Sequence, residues 1–312
     1  MFDFSTVTAP FRMQPGLRRI GAGSTQLTPN RAGSAALAEK VEVLTHAAPQ
    51  ALLAASDFDA RPALHALARH AAAEQPAAFR WDGAELYEAP WLGWSLQRGR
   101  PLRLDGAAAI GSCLEALAPE WRLAALLSLA FAEDFAVIDA STGRIPWLAV
   151  CLPSHWAPED KVGRHFAEVH APVADNRLLV TAADHLARLV TGSARWERFV
   201  WTITRHSRLD SHPQRSHPAP WPAGAGADAV AAVAYFRTER QTFVPLPELR
   251  QAVFTIHVER QPLADAIDTP ARAAQLHAAL ASMSDAVLAY RGLAEAQPRL
   301  LDWLARRAAD FV

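Results

Sequence analysis

The sequence predicts an α+β fold in which antiparallel hairpins are flanked by helices. Apolar residues recur at helical spacing near both ends of the chain, and two pairs of strand-like segments joined by short turns lie between them. A parallel sheet would instead need long, usually helical, connections between its strands. The order of elements therefore favours antiparallel pairing over a βαβ architecture.

The first hundred residues are rich in alanine and are predicted to be mainly helical. Ser34 can cap one helix, and Pro62 can occupy the first turn of a second helix. Between Phe79 and Arg103 the pattern becomes extended and is interrupted by glycine and proline. This stretch also carries three tryptophans, Trp81, Trp91 and Trp94.

The middle of the chain begins with a buried helix predicted over Pro119–Ala132. This helix leads into the first hairpin, whose strands are predicted over Phe135–Asp139 and Ile145–Leu152 with a glycine in the short polar turn. A helix over Leu178–Val190 and a strand over Phe199–Thr204 are predicted to follow.

A second hairpin is predicted after an irregular segment. Arg205–Gly226 is rich in His, Pro, Ser and Arg, which favours a surface loop. Ala232–Val244 and Gln251–Arg260 then alternate in polarity, and the proline-containing turn Pro245–Arg250 joins them.

Two helices are predicted to close the chain. Thr269 is an N-cap followed by a first-turn proline, and Pro298 begins the last helix. The first of the two carries an apolar stripe formed by Leu276, Leu280, Met283, Val287 and Tyr290. We expect residues 1–312 to form a single domain, with a helical N-terminal part over about 1–115 and C-terminal helices over about 263–312.

Composition excludes several classes of protein. A formal net charge of −1 argues against a nucleic-acid binder, which usually has a basic excess. The longest apolar run is far shorter than the ~20 residues of a membrane span, and the N-terminus lacks the pattern of a secretory signal. We therefore expect a cytoplasmic protein without nucleic-acid or membrane partners. The two cysteines, Cys113 and Cys151, are predicted to be buried apolar residues.

Common catalytic motifs are absent, but five short motifs together form a family-like signature. No glycine-rich dinucleotide motif, phosphate-binding loop or serine-hydrolase elbow occurs. The motifs are Cys151–Trp156 (CLPSHW), Lys161–Gly163 (KVG), Ala167–Val173 (AEVHAPV), Arg237–Thr242 (RTERQT) and Val253–Ile256 (VFTI). In order and spacing they resemble the haem-dependent oxidative N-demethylase alpha-subunit-like family, over roughly residues 120–262.

This resemblance implies both a fold and a function. It implies a PAS-like antiparallel sheet that encloses a b-type haem (heme b), in a monooxygenase-like oxidoreductase subunit. The implied reaction removes a methyl group from a small amine with dioxygen. Electrons would come from a separate flavin and iron–sulfur reductase subunit. Ala174 and Val200 depart from the family pattern, which has proline and asparagine there.

Four residues are candidates for holding the haem. Family position makes His170 the axial ligand, and the following Ala-Pro predicts an extended, stiff backbone around it. The family match also makes Lys161, Arg237 and Arg240 candidate partners of the haem propionates. Strand alternation places Arg237 and Glu239 on one face and Arg240 on the other, so the three cations cannot share a pocket. A structural ion pair of Arg237 is the competing interpretation.

Several alternatives stay open from sequence alone. The catalytic proton donor is unknown, because Glu133, Glu168 and Glu239 are equivalent candidates. The loop histidines form either a metal site or, as the sequence favours, a solvated polar segment: His206, His212 and His217. The rival functions are a haem-based PAS-like sensor, and a family member used for binding or assembly without catalysis. The substrate and the oligomeric state are also left open.

Overall fold

The computed structural model describes residues 2–309, which form two antiparallel sheets surrounded by helices. The strands are β1 (Arg18–Arg19), β2 (Leu52–Ala54), β3 (Arg80–Trp81), β4 (Leu86–Ala89), β5 (Trp94–Gln97), β6 (Arg100–Arg103), β7 (Asp134–Asp139), β8 (Arg144–Ala149), β9 (Trp196–Thr204), β10 (Tyr235–Leu246) and β11 (Gln251–Pro262). The predicted α+β class is therefore confirmed.

Helices cover both ends of the chain and interrupt its middle. They are α1 (Ala35–His46), α2 (Ala48–Ala51), α3 (Arg61–Glu74), α4 (Ala108–Ala116), α5 (Pro119–Ala130), α6 (Phe166–His170), α7 (Arg177–Thr181), α8 (Ala183–Val190), α9 (Ala227–Ala232), α10 (Leu263–Ala266), α11 (Pro270–Ala281), α12 (Asp285–Tyr290) and α13 (Gln297–Ala309). Short 3-10 turns occupy Phe4–Thr6, Pro90–Leu92, Pro158–Asp160 and Pro247–Leu249.

The larger sheet has seven strands in the order β1-β9-β10-β11-β7-β8-β2, and every neighbouring pair is antiparallel. Both predicted hairpins, β7–β8 and β10–β11, lie in it. In the second hairpin Tyr235 pairs with Pro262 and Leu246 with Gln251, so the pairing is continuous. The first strand begins at Tyr235 rather than Ala232, because residues 227–232 form helix α9.

The smaller sheet has four strands in the order β3-β4-β5-β6 and lies in the N-terminal part. This is the extended, tryptophan-bearing segment that the sequence predicts between residues 79 and 103. Gly93 needs its lack of a side chain, because it has φ +67° and a Cβ there would lie 2.3 Å from the backbone nitrogen of Gly106.

Helix caps follow the sequence closely. The hydroxyls of Ser34 and Thr269 accept backbone N–H groups at the starts of α1 and α11, as predicted. The long C-terminal helix is divided, however, so three helices rather than two close the described chain. Ser282 donates to the carbonyl of Ala279 and Ser284 caps α12, which favours ending one helix and beginning another.

Two other predictions need correction. The helix predicted over Leu178–Val190 is two helices, α7 and α8, which meet at Ala182. The loop Arg205–Gly226 is irregular but is not wholly at the surface, since His206, Asp210 and His212 are buried. Two sets of contacts account for this burial. Arg237 donates hydrogen bonds to carbonyls in this loop, and Arg215 forms an ion pair with the buried Asp210.

The two faces of the seven-stranded sheet differ. On one face Phe135 and Val137 of β7 join the main core, which includes residues of α1, α3 and α5. A second core cluster contains residues of α9, α11 and α13 together with Trp201 and Phe236. The opposite face of the central strands borders a cavity, where Ala136 and Ile138 alternate with the core residues.

Candidate functional site

The cavity has a volume of about 670 Å³ and lies against the central strands of the seven-stranded sheet. This volume falls in the range of small-molecule and cofactor pockets, roughly 300–1,000 Å³. Alternate residues of β7, β10 and β11 face it, together with residues of β8 and β9. The apolar part of this wall includes Ala136, Ile138, Leu148, Val200, Phe243, Phe254 and Ile256, and the polar part includes Arg198, Arg237, Glu239 and Gln241.

Residues Cys151–Val173, which follow β8 and contain the first three motifs, form what we call the signature segment, and they supply another part of the wall of this cavity. Its short helix α6 is fixed by a capping box: the His165 ring accepts the N–H of Ala167, and Glu168 accepts the N–H of His165. At the other end Asn176 donates to the carbonyls of His170 and Ala171. The predicted extended backbone at His170 is therefore wrong, because these caps stabilise helical geometry despite the following proline.

His170 presents a neutral imidazole to the cavity. Its Nδ1 lies 2.8 Å from the carbonyl oxygen of Phe166. A carbonyl can only accept, so Nδ1 carries the hydrogen and Nε2 keeps its lone pair. Burial lowers the pKa of His170 to about 4, the hydrogen bond to Phe166 acts against this, and the nearby cations Arg198 and Lys161 add to it. The ring can therefore act as a metal ligand through Nε2 near neutral pH.

Lys161 and Arg237 also line the cavity, but they differ in how many of their hydrogen-bond donors are already used by protein groups. Lys161 donates to the carbonyl of Val169 at 3.0 Å and has two further donor hydrogens. Burial lowers the pKa of Lys161. Arg237 is 1% exposed and donates to the hydroxyl of Ser154 and to four carbonyls, those of Leu152, Pro153, Arg208 and Leu209. Its guanidinium therefore joins β10 to the signature segment and the buried loop.

Arg240 lies on the opposite face of β10. Its guanidinium contacts Glu197 at 2.9 Å and donates to the carbonyl of Thr25 at 2.7 Å. The structure thus brings Lys161, His170 and Arg237 to one cavity and does not bring Arg240 there. This separation of Arg237 from Arg240 is what strand alternation predicts.

The three carboxylates that sequence left equivalent have different surroundings. Glu133 is buried away from the cavity and accepts the N–H of Thr28, with His257 3.7 Å away. Glu168 is used in the cap of α6. Glu239 is 8% exposed, lines the cavity and accepts a hydrogen bond from Gln241 at 2.6 Å. Among the lining residues within 2–309, Glu239 is the one acid.

Sequence reasoning did not single out Arg198, the residue of β9 that pairs with Gln241. It lines the same cavity wall, and its Nε finds no hydrogen-bond partner within the described chain. Burial lowers the pKa of Arg198, and only the charge of Glu239 acts against this effect. The predicted strand Phe199–Thr204 begins one residue after Arg198, whereas the strand in the structure begins at Trp196. Extending the predicted strand would have placed Arg198 on the same face as Val200.

Two other histidines meet at the edge of the cavity. His155 lines the cavity and has a left-handed backbone, with φ +63°. Its ring centroid lies 4.4 Å from that of His206. Burial lowers the pKa of each ring to about 4. His212 instead lies 3.1 Å from Glu159, and residues 2–309 contain no group of three or more His, Cys, Asp or Glu side chains arranged to hold a metal ion.

Comparison with protein families gives one match over most of the chain. A family model described as "Haem-dependent oxidative N-demethylase, alpha subunit-like" matches residues 36–301 of the 312. This range contains all five sequence motifs and the polar residues of the cavity wall. Within residues 2–309, no helix combines the length and the apolar character needed to cross a membrane.

Proposed function

The chain belongs to the haem-dependent oxidative N-demethylase alpha-subunit-like family, and from this membership we propose that it binds a b-type haem in the 670 Å³ cavity. We further propose that it is the oxidising subunit of a system that removes a methyl group from a small amine. A separate flavin and iron–sulfur reductase subunit would supply the electrons.

The observation that carries the proposal is the state of His170. Haem iron is commonly held by an imidazole nitrogen whose ring is oriented by a hydrogen bond at its other nitrogen. His170 has this arrangement: Nδ1 is bonded to Phe166, Nε2 has no hydrogen-bond partner among residues 2–309, and the helix is capped at both ends. Its low pKa keeps it unprotonated at neutral pH, so no proton has to be displaced for it to bind iron.

The rest of the cavity also suits haem. Much of the wall is apolar, as required to bury a porphyrin, while its charged residues are cationic except for Glu239. Propionates are carboxylates and bind to such cations. Lys161 has spare donors, and Arg237 contributes a buried positive charge although its own hydrogen bonds go to the protein. We do not propose Arg240 as a propionate partner, because it forms an ion pair with Glu197 on the face of the sheet away from the cavity.

A bound haem would supply the activation of dioxygen. The overall reaction consumes the N-methyl amine, dioxygen, two electrons and two protons, and it yields the demethylated amine, formaldehyde and water. The protein's own contribution is to bind and orient the amine and to exclude water. Glu239 is suited to receive a protonated amine, because it is the carboxylate that faces this cavity and its Oε2 is fixed by Gln241. We therefore propose Glu239 as the residue that holds the substrate nitrogen.

We also propose a PAS-like arrangement in one domain. One cluster of buried apolar residues includes members from α1 through β11. The single domain is supported because side chains of the N-terminal helices pack in this cluster with side chains of the sheet.

The test of the haem ligand is spectroscopic. Protein produced with haem supply should show a haem absorption spectrum, and His170→Ala should lose the haem or change its ligand field while remaining folded. Added imidazole should restore the original spectrum in this variant. His155→Gln is the matched control, because it removes another imidazole that lines the cavity.

Two results would contradict the proposal. If His170→Ala keeps an unchanged spectrum, another residue is the ligand. If wild-type protein binds no haem, the family fold has been retained without its cofactor. Turnover of a methylated amine with a reductase, measured as formaldehyde release, then tests the catalytic part separately.

A further inference from the structure

Arg198 is a half-buried cation whose side chain forms no ion pair or hydrogen bond within residues 2–309. Its Nε is buried and has no hydrogen-bond partner among residues 2–309, and its side chain forms part of the cavity wall. Neither of the carboxylates nearest along the strands hydrogen-bonds to Arg198. Glu197 contacts Arg18 and Arg240 on the other face of β9, and Glu239 accepts its short hydrogen bond from Gln241.

An unbalanced guanidinium away from bulk water is costly to a folded protein. Buried charges are normally paired, because desolvation is compensated only by a close counter-ion and hydrogen bonds. Glu239 favours the charged form of Arg198 but is not its hydrogen-bonding partner. The buried, unpartnered Nε–H of Arg198 at the cavity wall therefore has the properties of a site that is completed by a ligand from the cavity side.

The geometry of the donor restricts the class of ligand. A guanidinium presents planar, parallel N–H groups that match the two oxygens of a carboxylate. Lys161 and Arg198 both line this cavity, so two cations face the same space. A single simple amine would be repelled by this pair, whereas a carboxylate would neutralise it.

We propose that Arg198, assisted by Lys161, forms a carboxylate-binding subsite in this cavity. The proposal rests on the proposed function, because it takes the cavity to be the place where haem and the amine bind. The carboxylate has two sources: a haem propionate, or a carboxylate carried by the methylated amine itself, as in an N-methyl amino acid.

The first experiment compares hemin with hemin dimethyl ester, in which both propionate charges are masked. Wild-type protein should bind hemin about 10- to 100-fold more tightly than the ester, as expected for charge-assisted hydrogen bonds. Arg198→Met should remove most of this difference, whereas Arg198→Lys should keep part of it. Arg240→Met is the matched control on the neighbouring strand and should leave the difference unchanged, since it faces the other side of the sheet.

The second experiment uses the haem-free protein, so that it does not depend on the cofactor. N-methylglycine carries a carboxylate and dimethylamine does not. If the substrate is the source, N-methylglycine should shift the NMR resonance of the Arg198 Nε–H, dimethylamine should not, and Arg198→Met should weaken N-methylglycine binding at least 10-fold.

These outcomes distinguish the two sources of the carboxylate, and they distinguish failure of the Arg198 subsite from failure of the proposed function. Loss of the hemin–ester difference in Arg198→Met assigns the carboxylate to haem, and loss of N-methylglycine binding assigns it to the substrate. If Arg198→Met changes neither, the subsite does not exist. If wild-type protein binds no hemin, the proposed function fails, while the NMR titration still decides the role of Arg198. A raised or unchanged melting temperature of Arg198→Met would show that this variant is folded.

Discussion

At the scale of the residue, neighbouring positions of one motif have opposite surroundings. In the RTERQT segment, Arg237 and Glu239 lie on the cavity side of the sheet, while Arg240 is bonded to Glu197 on the other side. Residue type alone makes both arginines suitable for binding carboxylates. Because side chains alternate between the two faces of a strand, Arg237 and Arg240 can be assigned to opposite faces from their sequence positions alone.

A buried histidine should also make stability depend on pH. His206 is 3% exposed, and burial together with Arg237 lowers its pKa to about 4, with Asp210 acting against them and His217 adding to the lowering. The unfolded chain, with a histidine pKa near 6.5, takes up a proton as pH falls from 6.5 to 4, and the folded chain does not. The free energy of unfolding should therefore fall in this window, by roughly 2–3 kcal/mol for His206 once pH is below 4.

Urea unfolding of wild-type protein and His206→Gln at pH 7, 6 and 5 measures this effect. The variant should lose less stability with acidification than wild type. His185→Gln removes an exposed histidine and should reproduce the wild-type pH dependence. An identical pH dependence in His206→Gln and wild type would show that His206 titrates normally.

The sequence predicts much of the cavity's chemistry at this scale and misses part of it. Motif order pointed to His170 and Lys161. Strand alternation placed Glu239 on the same face as Arg237, but sequence alone did not separate it from Glu133 and Glu168. Arg198 was missed because what distinguishes it is the lack of a hydrogen-bond partner within residues 2–309. Whether it has one depends on the directions of neighbouring side chains, such as those of Glu197 and Gln241. Local patterns in a sequence contain no information about such long-range pairing.

At the scale of the element, helix caps account for the differences between the predicted and the observed helices. The Ala-Pro after His170 favours an extended segment, but the capping box of His165 with Glu168 and the amide of Asn176 stabilise α6. The same applies to the C-terminal stripe, which Ser282 and Ser284 divide into α11 and α12. Apolar periodicity correctly identified the buried faces, while side-chain hydrogen bonds set the ends of the helices.

The buried face of α11 gives a quantitative prediction. Leu280 is 0% exposed and lies in the second core cluster, so Leu280→Ala should lower the free energy of unfolding by about 2–5 kcal/mol. Leu249→Ala is a control of the same chemistry, because Leu249 is 40% exposed in the turn between β10 and β11. Chemical unfolding measures both. A loss below about 0.5 kcal/mol for Leu280→Ala would be incompatible with a packed core position.

At the scale of the molecule, a buried ion pair joins the N-terminal helices to the sheet. Lys40 of α1 is fully buried, lies 3.0 Å from Asp134 of β7 and donates to the carbonyls of Phe131 and Glu133. Asp134 also accepts the N–H of Leu152. Helix α1, the first hairpin and the start of the signature segment are thus joined by one network.

Breaking this network should destabilise the protein as a whole. Lys40→Met leaves Asp134 as a buried charge without its counter-ion, which should cost about 3–5 kcal/mol. If the chain is one domain, circular dichroism and tryptophan fluorescence should report a single, coincident unfolding transition at lower denaturant concentration. Adding Asp134→Leu should recover part of the loss. Arg98→Met, which removes an exposed ion pair with Glu85, should leave the transition nearly unchanged.

Separate transitions in the Lys40→Met variant would instead indicate that the N-terminal part unfolds independently. That result would contradict the single domain without bearing on the cavity, whose wall is built largely from strands β7 to β11 and the signature segment.

The unbroken twelve-residue pairing of β10 with β11 also constrains how this protein can evolve. Because cavity and core residues alternate, substitutions at positions 239 and 241 can alter ligand preference without repacking the interior. A single inserted residue in β10 would instead exchange the two sets, carrying Arg240 into the cavity and Glu239 out of it. Descendants of this chain should therefore change specificity through point substitutions in β10, while the length of that strand stays fixed.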